Sequence, residues 1–342
     1  MMQISPEIQL FIREHSSDDV RVLALQAKKY PDIDMPTVIT QIAGRKVAAE
    51  KIPSWWEIEK IWYPKHLSLE QCSSEITARY KARLLQGDSL TDLTGGFGID
   101  CSFLATGFKS ATYVERQEEL CEIAAHNFPV LNLNHINIKN EDGVTYLQAM
   151  SPVDCLFLDP ARRNEHGGKT VAISDCEPNV AELEELLLQK ANRVMIKLSP
   201  MLDLSLALKE LKQTQEVHIL SVNNECKELL ILLGQTSPAE ISIHCVNLFT
   251  KGTQKEQHFV FTREQEQCSE CTYTDSLETY LYEPNASLLK AGAFRSIAAA
   301  YPVRKLHPNS HLYTSDTFIE NFPGRIFRIV NQCSFNKKEV KE

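Results

Sequence analysis

The residues best placed to do chemistry are Leu90-Thr91-Asp92-Leu93-Thr94-Gly95-Gly96-Phe97-Gly98-Ile99-Asp100, where a short apolar run gives way to a helical stretch. Glycines at such a turn remove the Cβ atoms that would block a ligand, and the helix start offers free amide donors. Two further acids follow at useful spacings: Glu115 closes the next strand-like run, and Asp142 follows the third in Asn140-Glu141-Asp142-Gly143. A carboxylate at the first of these places can accept from both ribose hydroxyls, and one at the second from an adenine amino group. A dinucleotide and an adenosyl compound meet both requirements equally, so the loop must separate them. Asp92 stands on the strand end, suited to an ammonium or amino-acid group rather than a pyrophosphate, and Asp100 occupies a place where the dinucleotide spacing needs glycine.

These positions need a scaffold, and the sequence supplies one. Between Ser89 and Gly234, strand-like runs at 89–93, 111–114, 135–138, 153–158, 193–198, 217–222 and 229–233 alternate with helical stretches at 100–106, 118–127, 179–190 and 202–212. Such alternation predicts a parallel sheet with helices on both faces and ligands at the carboxyl ends of its strands. Upstream, residues 1–71 read as helices punctuated by Pro31, Pro36, Pro53 and Pro64, with Trp55, Trp56 and Trp62 forming an aromatic ridge. A small core is expected of that ridge in preference to a base-stacking surface. After Gln235 come two strand-like pieces at 241–249 and 258–261, a polar stretch at 264–275 that reads as a linker, and a small α+β module with strands at 280–282, near Leu312 and at 325–330 around a helix at 286–301.

Composition narrows the setting. The chain has 342 residues, 43% of them hydrophobic and 24% charged, which is ordinary for a folded globular protein. No apolar run approaches the roughly 20 residues that cross a bilayer, and the start lacks a signal-like pattern, so a cytoplasmic protein without membrane partners is expected. The ten cysteines lack framework spacing and are expected as reduced thiols. Cys268 and Cys271 have the gap of a zinc half-site, but no second pair follows, and no metal is expected. A net charge of -9 argues against sequence-blind nucleic-acid binding. A local basic patch remains open, because Lys290, Arg295, Arg304, Lys305, Arg325, Arg328, Lys337, Lys338 and Lys341 leave the C-terminal part net positive.

Taken together, the acid-then-glycines loop and the two later acids resemble class I S-adenosylmethionine-dependent methyltransferases over roughly 72–234. The resemblance implies a Rossmann-like, seven-stranded, mostly parallel sheet with S-adenosylmethionine as cofactor. Its candidate binding positions are Asp92, Thr94, Gly95, Gly96, Phe97, Gly98, Asp100, Glu115, Arg116, Asp142, Gly143 and Asp159. Ser74 and Thr77 join them if the segment Cys72 to Lys81 folds over the cofactor's carboxylate; the same segment also reads as a plain helix cap.

On the acceptor side stands Leu158-Asp159-Pro160-Ala161-Arg162-Arg163. The arginines could clamp a phosphate or stack on a base, and Arg163 could equally pair with the acids after Asp175. No cysteine stands beside Pro160 or along Met195-Ile-Lys197-Leu-Ser199-Pro200, so a covalent cysteine mechanism is not expected. Two direct-transfer readings remain. In one, Asp159 orients a base nitrogen, Arg162 holds the nucleotide, and Lys197 with Glu228 shapes the pocket. In the other, Asp159, Lys197 and Glu228, with Lys81 as a possible first lysine, form the set of a ribose 2'-O-methylase.

The layout also resembles a bacterial family with a helical N-terminal part, an Asp-Pro-Ala-Arg-Arg motif and a ferredoxin-like plus THUMP-like C-terminal region, on the stretches from Ser74 to Lys81, Asp159 to Arg163, Lys197 to Pro200, Glu225 to Leu229 and Tyr282 to Gly292. That resemblance implies RNA, tRNA or rRNA, as substrate, with no obligate protein partner; a protein or small-molecule methyltransferase is the rival. It implies a division into a helical part at 1–71, a catalytic domain at 72–272 and a ferredoxin-like, RNA-docking part at 273–342. Lys337 to Glu342 is a charged end without a closing strand, so the THUMP-like part is expected to be truncated.

Overall fold

Short β-branched and apolar runs bounded by glycine or polar turns form the strands, and the structure is mixed α/β with a large, mostly parallel sheet. The computed structural model describes residues 4–162, 172–236 and 238–333. The chain divides into two units, Met1–Glu165 with Ser174–Ile196, and His166–Ile173 with Lys197–Glu342.

In the first unit the strands are β1 (Ser89–Asp92), β2 (Ser110–Glu115), β3 (Ile136–Asn140), β4 (Val153–Leu158), the short β5 (Ala161–Arg162) and β6 (Cys176–Glu177), and β7 (Ala191–Leu198), whose last two residues belong to the second unit. Parallel pairing gives the order β7-β4-β1-β2-β3, with Asp92 beside Phe157 on one side and Tyr113 on the other. β1 therefore lies mid-sheet, and the loop that follows it opens at the carboxyl ends of its neighbours, where open α/β sheets bind ligands. The intervening helices are Ile99–Ala105, Glu118–Val130, Gly143–Ala149 and Val180–Lys190.

Helices precede the strands, as the proline-punctuated sequence predicts. The longest, Met35–Lys51, starts on Asp34, whose carboxylate accepts from the Thr37 amide. Trp55 is buried and packs edge-on against Phe97 of the glycine loop at 5.2 Å between ring centroids. Trp62 stacks on His126 at 3.7 Å, and only Trp56 of the three is largely exposed, with Arg45 over its ring. The ridge is thus mainly packing. Ala48, Ile52, Trp55, Ile61, Tyr63, Leu69 and Ala78 join Phe97, Ile99 and Ile123 in one apolar cluster, so the helical segment supports the underside of the loop.

The second unit contains β8 (Thr214–Val222), β9 (Glu225–Gly234), β10 (Ser242–Leu248) and β11 (Glu256–Thr262). β8 and β9 form a hairpin across Asn223 and Asn224, both at positive φ, which asparagine tolerates better than most residues. Glu228 consequently lies inside β9, opposite Leu220, rather than just ahead of the strand. β10 runs parallel to β8 and β11 antiparallel to β10.

The stretch expected to be a linker instead opens with a helix, Arg263–Cys268. A capping box drives it: Thr262 Oγ1 accepts from the Gln265 amide while the Gln265 side chain accepts from the Thr262 amide. The remaining strands, β12 (Tyr280–Pro284), β13 (Arg304–Lys305), β14 (Tyr313–Ser315) and β15 (Gly324–Arg328), form an antiparallel sheet in the order β13-β14-β12-β15. The helix expected across 286–301 is two helices, Ala286–Ala291 and Arg295–Ala300, because Gly292 takes a left-handed conformation that ends the first. Among the described residues, no helix is long and apolar enough to cross a membrane, and all ten cysteines are free thiols.

Candidate active site

The loop after β1 is held by its neighbours in the first unit. The Leu93 amide donates to Phe157 O, the Gly95 amide to Val114 O, and the Gly98 amide to Gly95 O. Thr94 Oγ1 accepts from the Asp159 amide at 2.6 Å, tying the loop to the end of β4. Tyr113, two residues before Glu115 on the same face of β2, donates its hydroxyl to Gly96 O at 2.5 Å. A methyl group at Gly95 would sit 2.2 Å from the Tyr113 ring, so packing demands glycine there. Gly96 and Gly98 are needed for another reason, their φ values of +54° and +86°. A Cβ at Gly96 would meet nothing closer than 3.8 Å, so the loop presents open space at that point.

Carboxylates ring the space. Asp92 is buried; its Oδ1 accepts from the Thr94 amide at 3.0 Å, while Oδ2 has no hydrogen-bond partner among the described residues. Burial raises the Asp92 carboxyl well above the usual carboxylate range, the Thr94 amide offsets part of that, and the charges of Asp100, Asp159 and Glu115 push it up further. An unsatisfied acceptor in an acidic enclosure is an environment a cation relieves. Glu115 is also buried, and its two oxygens accept from the Gly96 and Gln117 amides, both at 2.8 Å.

Asp100 is occupied differently. It pairs with Lys81, fully buried, at 2.9 Å and accepts from Ser73 Oγ at 2.7 Å, and Lys81 donates to the same serine at 2.8 Å. The sequence does not reveal this triad, which fastens helix Glu75–Ala82 to the first turn of helix Ile99–Ala105. Ser74 occupies the N-cap position of the former without making the capping bond; its hydroxyl and that of Thr77 share a hydrogen bond at 3.2 Å. Phe97 is buried beneath the loop.

Asp142 caps helix Gly143–Ala149, its Oδ1 accepting from the Val144 and Thr145 amides at 3.0 Å. Gly143 is required by packing, since a Cβ would lie 2.2 Å from Leu93 O. Arg116 is exposed and reaches Glu177 at 3.4 Å. β5, which carries Arg162, pairs with β6 at Ala161–Glu177 and Arg162–Cys176. The Arg162 side chain and all of Arg163 lie outside the described residues. Asp92, Thr94, Gly95, Gly96, Gly98, Glu115 and Asp159 are thus brought to one end of the first unit's strands. Lys197 and Glu228 belong to the second unit, both buried, on β7 and β9.

Among solved structures, a strong relative is a candidate methyltransferase from Porphyromonas gingivalis W83, 36% identical, with 95% of this chain and 81% of that one covered at a TM-score of 0.83. Weaker likenesses include a modification subunit of a candidate type I restriction enzyme from Vibrio vulnificus YJ016, 12% identical over 59% of this chain and 56% of that one, TM-score 0.40. Another is an rRNA methylase from Streptococcus thermophilus, 14% identical over 46% of this chain and 93% of that one, TM-score 0.34. A family model for a ferredoxin-like domain matches residues 280–323, the β12 to β14 region. No curated protein matches.

The site fits the cofactor that such a family uses. S-adenosylmethionine presents an ammonium, a sulfonium, a ribose diol and an adenine, and the loop offers an orphaned buried carboxylate oxygen and an opening free of side-chain bulk. With 36% identity over nearly the whole chain, this protein belongs to the S-adenosylmethionine-dependent methyltransferase family of the P. gingivalis protein, with a ferredoxin-like module in its C-terminal part.

Proposed function

We propose that this enzyme methylates RNA, at a base nitrogen of tRNA or rRNA. The observation that carries the cofactor assignment is the partnerless, buried Oδ2 of Asp92 beside the open Gly96 turn. On this reading Asp92 takes the amino-acid end of S-adenosylmethionine, the backbone at Thr94, Gly95, Gly96, Phe97 and Gly98 lies along it, Glu115 accepts from the ribose, and Asp142 and Gly143 flank the adenine. Arg116 edges that pocket, Ser74 and Thr77 close over the carboxylate, and Asp100 keeps the loop in shape through Lys81.

Asp159 orients the acceptor nitrogen and Arg162 holds the nucleotide. Rate enhancement then comes mainly from positioning. Nitrogen is favoured over the ribose 2'-oxygen because Lys81, the lysine that a four-residue ribose set would need, is already engaged by Asp100 and Ser73. The RNA reading draws its support from the net-positive C-terminal part and the ferredoxin-like module there, with residues 273–342 as the docking part.

The test is transfer of labelled methyl from S-adenosylmethionine to total RNA from a deletion strain, with protein extract as the control, followed by nucleoside digestion. Label in a base-methylated nucleoside is the expected result. Label confined to protein ends the RNA reading, and label at a 2'-O-methyl nucleoside ends the nitrogen reading.

A further inference from the structure

A second cluster of titratable side chains lies in the other unit and takes no part in the methyl-transfer site. On β8, Glu216 and His218 point to one face; β10 runs parallel to it with Ser242 opposite Glu216 and His244 opposite His218. β11 brings His258 to the same face, opposite Val246. Three imidazoles and a carboxylate therefore share one patch of sheet. The ligand atoms of Glu216, His218 and His244 all lie within 4.8 Å of one another. His218 Nε2 is 3.2 Å from Glu216 Oε2, and the His218 and His244 rings stack at 4.3 Å between centroids.

We infer that Glu216, His218 and His244 bind one divalent transition-metal ion, zinc being the commonest with such ligands. Nitrogen and oxygen donors bound to one ion at about 2.0–2.2 Å stand about 3–3.5 Å apart in a tetrahedral site. The set closes onto one ion when the His218 and His244 rings rotate out of their stack, on a backbone that hydrogen-bonded strands hold fixed. Two imidazoles and a carboxylate suit zinc and its neighbours better than magnesium or calcium, which prefer all-oxygen shells.

The surroundings support a built site. Both ring nitrogens of His244 are held, Nε2 by Ser242 Oγ at 3.2 Å and Nδ1 by His258 Nε2 at 3.1 Å, so the ring is fixed beside the set and an ion would take the place of one of these contacts. The exposed His258 therefore adjoins the set. His218 at the other end is only 2% exposed, which shields the ion from water on that side. This inference is independent of the methyltransferase reading, since none of its residues belongs to the first unit.

The test is zinc titration, by calorimetry, of the EDTA-stripped full chain carrying Cys268→Ser and Cys271→Ser, which removes the thiol pair as a competing site. One Zn2+ per chain with micromolar or tighter affinity is expected, weakened at least about tenfold, the equivalent of about 1.4 kcal/mol, by Glu216→Gln and again by His244→Gln. Circular dichroism checks that both variants fold. Replacing zinc with Co2+ in the parent chain gives a readout independent of the variants, a visible absorption characteristic of nitrogen and oxygen ligation. Stoichiometric binding that survives both substitutions, or no binding by the parent, overturns the assignment.

Discussion

Replacing Asp92 with asparagine separates what the pocket does for folding from what it does for binding. The change is isosteric, and the amide oxygen can keep the 3.0 Å bond from the Thr94 amide. In the ligand-free protein it puts an amide nitrogen where the partnerless Oδ2 stood and removes a charge crowded by Asp100, Asp159 and Glu115. Burying such a charge without a partner costs at least about 1–3 kcal/mol, so its removal is expected to make the variant more stable by about that amount. At roughly 2–4 °C per kcal/mol for a unit of this size, the melting temperature rises by several degrees.

The gain is pH-dependent. Because the folded-state pKa of Asp92 lies above its unfolded value, the wild-type carboxyl is harmless below the ordinary carboxylate range, and its penalty grows as pH rises through the folded pKa. The gap between variant and wild type should therefore widen from about pH 4 upward. Binding moves the other way: loss of a charge-assisted hydrogen bond of about 1.5–3 kcal/mol weakens S-adenosylmethionine about 10- to 150-fold. Differential scanning fluorimetry across pH, paired with calorimetric titration of the cofactor, measures both. An Asp92→Asn protein that is less stable than wild type without ligand, or that binds the cofactor unchanged, refutes the reasoning.

Other perturbations have separable outcomes. Lys81→Met leaves Asp100 buried without its cation and should lower stability in denaturant titration by about 3–5 kcal/mol, with much of the loss recovered in Lys81→Met/Asp100→Leu. Gly95→Ala forces a methyl against the Tyr113 ring and should destabilise by about 1–3 kcal/mol, whereas Gly96→Ala meets open space and loses only about 1–2 kcal/mol to its left-handed backbone; thermal melts of the pair distinguish the two causes. Tyr113→Phe deletes the hydroxyl that holds Gly96 O and should cost about 1 kcal/mol, with a higher KM for S-adenosylmethionine. Trp55→Ala should cost about 3–5 kcal/mol; a loss under 1 kcal/mol would mean the residue is not core.

Much of the first site could be read from the chain because its parts are local. Asp92, the three glycines and Asp100 fall within eleven residues, and Glu115 and Asp142 each follow a strand whose apolar run announces it. The Lys81–Asp100–Ser73 triad could not be read in this way, since a buried lysine looks like any surface lysine until two helices are packed together. Where element boundaries moved, the cause is again local chemistry: the Thr262–Gln265 capping box starts a helix in a stretch polar enough to resemble a linker, and Gly292 divides one expected helix into two. The histidine cluster is the opposite case. Glu216-Val-His218 is an unremarkable strand fragment, and it acquires meaning only when parallel pairing sets His244 beside it.

On the proposed assignment, the bond between the Thr94 hydroxyl and the Asp159 amide makes the methyl donor's cradle and the acceptor's strand end a single mechanical piece. Any adjustment of the turn as the cofactor settles is then transmitted to the main chain at Asp159 without an intervening residue. By thermodynamic reciprocity, occupancy of either half should alter affinity for the other by the same factor. Cutting the bond with Thr94→Val should let the two halves fill independently.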